Sequence, residues 1–257
     1  MHEIRSEAAP WWLVPNLLAL DAPLVAVVWQ RFLASRFGGV VPVAASAALA
    51  AVVWCVYLAD RRLDARRGEF DADRHRTAAH FARPFAVAAA LAAAVAAAAA
   101  ASLPTAYVAH GLAVGLGVAG YLAAVHGAGG GRTVWGAKEL LVGVGFAAGV
   151  AVPLSTGTVP WSEWLPSVSA FGGLCWLNCR LIDRWESARP RRIRVEAVLG
   201  GALAVAATRL PAGVGLAVAS SVGGLLAVHL AFRGCPRAAR VLADAVLLSP
   251  LAFWGVP

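Results

Sequence analysis

Apolar runs of close to twenty residues, many separated by short Pro- and Gly-containing stretches, follow one another from residue 12 to near the end of this 257-residue chain. A helix needs about 20 apolar residues to cross a bilayer. Inside lipid every backbone N–H and C=O must be paired, so only helices and closed barrels span it. These runs lack the alternation of barrel strands. The sequence therefore predicts an all-α fold, a polytopic membrane helical bundle, with residues 1–257 as one integral membrane domain. The hydrophobic share of 60% exceeds the roughly 45–50% of soluble domains.

Nine transmembrane helices are predicted, near 12–34, 40–59, 84–102, 105–126, 138–154, 164–182, 195–210, 213–232 and 238–255. "SLPT" at 102–105, "LPAG" at 210–213 and "RGCPR" at 233–237 punctuate them. The first run carries Asp21 and is too long for a signal-peptide core, so it reads as a retained span. The Ala-rich tract 86–102 favours helix and close helix approach, and suggests no chemistry. All of the 22 basic residues except Arg31, Arg36 and Arg209 fall on one side of this scheme. The positive-inside rule then puts the N-terminus and the two long charged loops in the cytoplasm. The net charge of +8 is thus topological. Anionic membrane lipids are the expected partner of these arginines, and nucleic acid is not needed.

One stretch departs from its surroundings. "VYLADRRLDARRGEFDADRHR", residues 56–76, crowds four aspartates, a glutamate and six arginines directly behind an apolar run. Asp60 and Asp64, at i and i+4, share a helix face with Cβ atoms about 6 Å apart. Carboxylates that close repel unless a cation or proton intervenes. Mg²⁺ commonly takes one or two carboxylates and completes its shell with water and substrate phosphates. The competing reading is a set of surface salt bridges to Arg61, Arg62, Arg66 and Arg67. A second cluster, "CWLNCRLIDRWESARPRR", follows the sixth run as the first follows the second. It places Asn178, Asp183 and Glu186 at a helix end on the same side.

These motifs resemble those of the UbiA superfamily of intramembrane prenyltransferases. The family carries NDxxDxxxD after its second helix and a DxxxD-type motif after its sixth. In "VYLADRRLD", Asp60 and Asp64 match the last two acids, while Val56 and Tyr57 stand where Asn and Asp are expected. In "DRWES", Asp183 matches the first acid, Glu186 lies near the expected spacing, and Ser187 replaces the last Asp. "LDAPL" at 20–24 is similar to a Leu-Asp-Lys-Pro pattern, with Ala22 for Lys, and the run starting at Lys138 resembles the fifth helix. The resemblance implies transfer of an isoprenyl group from an isoprenyl diphosphate to an aromatic or other lipid-soluble acceptor. It implies Asp60, Asp64 and Asp183 as catalytic residues, and Asp60, Asp64, Asp183 and Glu186 as ligands of Mg²⁺. It implies Lys138, Arg61, Arg74, Asn178 and Asp21 as substrate-binding residues. With the Asn and Asp missing from the first motif, two oxygen ligands are lost, so one ion is readily supported and a second is not. The alternative is a non-catalytic UbiA-like protein that binds an isoprenoid lipid or a membrane partner.

Other residues suggest less. Asp21 is expensive inside a span and is a functional candidate by default; a structural, partnered Asp is the alternative. Single histidines at 110, 126 and 229 read as interhelical hydrogen-bonding groups, and Trp11, Trp12, Trp161 and Trp164 as interface anchors. The four cysteines complete no zinc set and read as packing thiols. Asp244 is expected to pair with an arginine. A CDP-alcohol phosphotransferase would need a Gly after Asp64, and a transporter would need broken helices, which the sequence does not suggest.

Overall fold

The computed structural model describes residues 10–66, 73–126, 137–186, 193–232 and 234–256, with the side chains of 66, 73–75, 125–126 and 137 outside that description. Eleven helices occur among the described residues: α1 (Val14–Leu17), α2 (Asp21–Arg36), α3 (Val43–Arg66), α4 (Asp73–His80), α5 (Ala82–Ala101), α6 (Thr105–His126), α7 (Ala137–Ser155), α8 (Trp161–Glu186), α9 (Arg194–Ala207), α10 (Ala212–Phe232) and α11 (Pro236–Val246). The fold is all-α, as the apolar runs require.

Every predicted span holds a helix, but nine membrane crossings do not result. Five helices are long and apolar enough to cross a membrane: α3, α5, α6, α7 and α10. A sixth crossing is available if α1 and α2 form one bent span. This supports a multi-pass membrane protein. The missing crossings have physical reasons. At 1.5 Å per residue, α9 and α11 are about 21 and 16 Å long, short of the ~30 Å hydrocarbon core. Helix α8 is long enough, but its last third carries Asn178, Arg180, Asp183, Arg184 and Glu186. Its neighbours on several sides cover those groups, so α8 is a central helix of the bundle.

The first run is not one helix either. It breaks between Leu17 and Asp21, and the two pieces meet at 73°. Ala19 takes φ +56° there, a left-handed conformation that costs any residue with a Cβ. Arg61 of α3 braces the break: its guanidinium donates to the carbonyls of Leu17 and, at 2.8 Å, of Asn16. A cation belongs at this helix C-terminus, where carbonyls are unpaired and the dipole is negative. This broken helix is the feature that the sequence did not suggest.

The main core joins α2, α7, α8, α10 and α11. Trp29 is fully buried, stacks on Phe171 with centroids 4.7 Å apart, and donates its indole N–H to the Leu247 carbonyl at 2.8 Å. Helices α7 and α8 cross closely because Gly143 and Gly172 meet there; a Cβ on Gly143 would lie 2.4 Å from the Gly172 carbonyl oxygen. Such small-residue contacts replace the hydrophobic drive that lipid removes. By contrast α5 and α6 expose Val87, Leu91, Val95, Leu112 and Leu116, the face expected toward lipid. Of the proposed interface tryptophans, Trp11 and Trp161 are exposed, whereas Trp164 is buried in the core. Cys175 is a buried packing thiol as expected, while Cys235 is exposed.

Candidate ligand-binding site

Two cavities lie end to end in the bundle. The polar one has a volume of about 370 Å³ and sits where α3, α6 and α8 end and α2 and α7 begin. Each contribution follows from local structure. Asp60 and Asp64 come from one face of the last turns of α3, as their i,i+4 spacing dictates. Asn178 and Asp183 come from the last third of α8, Lys138 from the first turn of α7, and Asp21 from the N-terminus of α2 beyond the break. All six line this cavity, and so does Arg61. The carboxylate of Asp64 is buried and lies 3.9 Å from Lys138 Nζ. Lys138 is thus a cavity residue, partly exposed, rather than a free surface lysine.

One sequence assignment stands elsewhere, and one lies outside the described side chains. Glu186, expected as a metal ligand, does not line the cavity and pairs with Arg240 of α11. It is the last residue of α8, one turn beyond Asp183, and its carboxylate is held by Arg240 at the edge of the cavity wall. Arg74 falls where side chains are not described.

Residues that the sequence reading missed complete the wall. Asn16, Tyr57, Tyr121, Glu139, Arg240 and Asp244 all line the polar cavity. Asp244 was expected to pair with an arginine. It instead accepts from Asn178 Nδ2 at 2.8 Å and Asn16 Nδ2 at 3.1 Å, and the same Asn16 amide also donates to Asp21. Burial, then the neighbouring Asp21 charge and a hydrogen bond to Asp21, hold the Asp244 carboxyl well above the usual carboxylate range. Tyr57, where the family pattern has an acid, was the visible clue that this wall is aromatic.

The second cavity, of about 450 Å³, is apolar. It runs between α3, α5, α6 and α7, alongside about 20 Å of helix from Tyr121 to Tyr107. Small residues make the room: Ala96, Ala97 and Ala100 on α5, and Gly111 and Gly115 on α6. The Ala-rich tract, which suggested no chemistry, is a wall of this space. Val56, Tyr57, Tyr121 and Val142 line both cavities, so the two adjoin at that ring of side chains.

Among the described residues no three His, Cys, Asp or Glu side chains gather closely enough to hold a metal ion. Asp64 already faces Lys138, and Glu186 faces Arg240. The donors therefore do not form a metal cage. They do fit the mode in which Mg²⁺ takes one or two carboxylates and the oxygens of a bound phosphate, with Asp60 and Asp64 as the pair and Asp183 lining the same cavity. Comparison with family models, with curated proteins and with solved structures found no match.

Proposed function

We propose that the protein is an intramembrane prenyltransferase of UbiA type, transferring an isoprenyl group from an isoprenyl diphosphate to a lipid-soluble acceptor. One observation carries this reading: a cavity lined by six carboxylates, a lysine and two arginines, a set that suits a diphosphate bound together with Mg²⁺, adjoins an apolar cavity through a ring of four shared side chains. That pairing suits an amphiphile with an anionic head and a long apolar tail. The diphosphate occupies the polar cavity against Lys138, and the isoprenyl chain lies between α3, α5, α6 and α7. Mg²⁺, when bound with the diphosphate, would neutralise the departing charge. Asp60 and Asp64 hold the head group's cation side, and Lys138 reaches the head group itself. Tyr57 and Tyr121 stand at the junction, where the C–O bond ionises. Their ring faces stabilise the allylic cation, and the helical bundle excludes water from it. The excess of arginine at this end of the bundle orients the polar cavity toward the cytoplasm.

The test is an assay of purified protein with isoprenyl diphosphates of several lengths and hydroxylated aromatic acceptors, with and without Mg²⁺. Diphosphate release and a prenylated product, both dependent on Mg²⁺, are expected. Because no cage is preformed, calorimetric titration with Mg²⁺ alone is expected to show no binding, and binding is expected to appear once an unreactive isoprenyl diphosphate analogue is present. Tight Mg²⁺ binding to the protein alone would contradict this arrangement.

The tail cavity gives an independent check. A Cβ on Gly115 meets nothing within 4 Å and the residue lines the apolar cavity, so Gly115→Phe is expected to reduce the space there. The variant is expected to keep its thermal stability and to shift the preferred donor toward shorter chains. An unchanged chain-length profile would remove the tail from this cavity.

A second reading stands on Val56 and Tyr57, which occupy the positions of an expected Asn and Asp. In it the same two cavities hold an isoprenoid lipid without turnover. Saturable binding of an isoprenyl diphosphate, with no product from any acceptor, would select it.

A further inference from the structure

The break between α1 and α2 serves a purpose that the diphosphate does not account for. It sets Asp21 at the N-terminus of α2, opposite Asp244 of α11, on the wall of the polar cavity. Asn16 bridges the two carboxyls with one amide nitrogen, and Asn178 holds Asp244 from the far side. Both asparagines are more than nine-tenths buried, and each leaves its carbonyl oxygen without a hydrogen-bond partner. Their amides are committed because ionised carboxyls only accept. Two buried acceptors beside two acids describe a place for a donor, not for an anion.

Ionised carboxyls accept and do not donate, so two of them side by side on this wall can take a proton from a hydroxyl brought against them. Neither acid is sealed off: both are only partly covered and lie on the cavity wall.

We propose that Asp21 and Asp244 form the proton-accepting site for a hydroxyl-bearing, lipid-soluble acceptor in the polar cavity. This rests on the prenyl-transfer reading. The acceptor oxygen forms a bond to C1 of the isoprenyl group as the bond from C1 to the diphosphate oxygen breaks. The bonding electrons leave with the diphosphate, and the hydroxyl proton passes to the acid pair. Asn16 and Asn178 orient the carboxyls, and their free carbonyls receive the hydroxyl before transfer.

The experiment uses Asp244→Asn and Asp21→Asn in the full chain. Both variants are expected to bind an isoprenyl thiodiphosphate as wild type does and to lose transfer to a hydroxylated acceptor by about 100-fold or more, the range of a lost general base. An active wild type whose transfer survives both substitutions overturns this role alone. A wild type without any transfer overturns the prenyl-transfer reading and this role together, while donor binding to the variants shows whether the polar cavity is intact.

Discussion

Asp60→Asn is expected to abolish Mg²⁺-dependent diphosphate release while leaving the fold in place. Asp60 sits near the water-facing end of α3, half-buried on the cavity wall. Asparagine keeps its size and one of its two oxygens and removes only charge. A structural ion pair at such a partly exposed position contributes about 0–1 kcal/mol, and relief of repulsion with Asp64 acts in the opposite direction. Thermal unfolding is therefore expected to stay within a few degrees of wild type. Turnover is expected to fall by about 100-fold or more, as when one preorganised charge partner is removed from a reacting centre. Asp64→Asn should differ. Asp64 is buried beside Lys138, so that substitution costs stability as well as activity. Equal behaviour of the two variants, or Asp60→Asn turnover near that of wild type, would remove Asp60 from the chemistry.

How much of this was legible beforehand depends on what each residue's neighbours in the chain reveal. Asp60, Asp64, Asn178, Asp183 and Lys138 each lie at an end of an apolar run. Their sidedness follows from counting runs, and the structure brings all five to one cavity. That convergence survives the loss of three or four crossings, because α8 keeps its direction in the bundle whether or not lipid surrounds it. The count of crossings was not legible, since hydropathy alone does not separate a lipid-facing helix from a central or short one. The α1–α2 break was hidden for a related reason: "LLALDA" has good helix formers on both sides, and the left-handed Ala19 is imposed by tertiary contacts such as Arg61. Asn16 and Asp244 are single polar residues in apolar surroundings, with partners more than 60 residues away in sequence. Glu186 misled for the opposite reason. Its spacing from Asp183 suggested a motif, whereas its place at the last residue of α8 puts it past the cavity, where Arg240 of α11 takes its carboxylate.

Glu196→Leu is expected to be strongly destabilising at the packed interface between α8 and α9. Arg180 and Arg184, one turn apart on α8, each reach a different oxygen of Glu196 at 3.3 Å. All three side chains are largely buried. Glu196 lies in the first turn of α9, where the helix dipole also favours its charge. Helix α9 is too short to cross the bilayer by itself, so its contacts with α8 and α10 hold it. Leucine would leave two guanidinium groups in a poorly solvated interface without their shared counter-charge. Breaking a buried pair from one side costs about 3–5 kcal/mol, and the lower end applies because both arginines can shift toward water. Thermal unfolding in detergent measures this. The control replaces Arg180 and Arg184 by methionine together with Glu196→Leu; an apolar replacement of a whole buried network is close to neutral, so most of the stability should return. Activity is expected to follow stability through the single and triple variants. Asp183 lies on α8 between the two arginines, and its position on the cavity wall depends on how the last turns of α8 are held. Loss of turnover in the single variant, with recovery in the triple variant, would show that the α8–α9 link positions the site. A Glu196→Leu protein as stable as wild type would mean that the two arginines are already held by other partners.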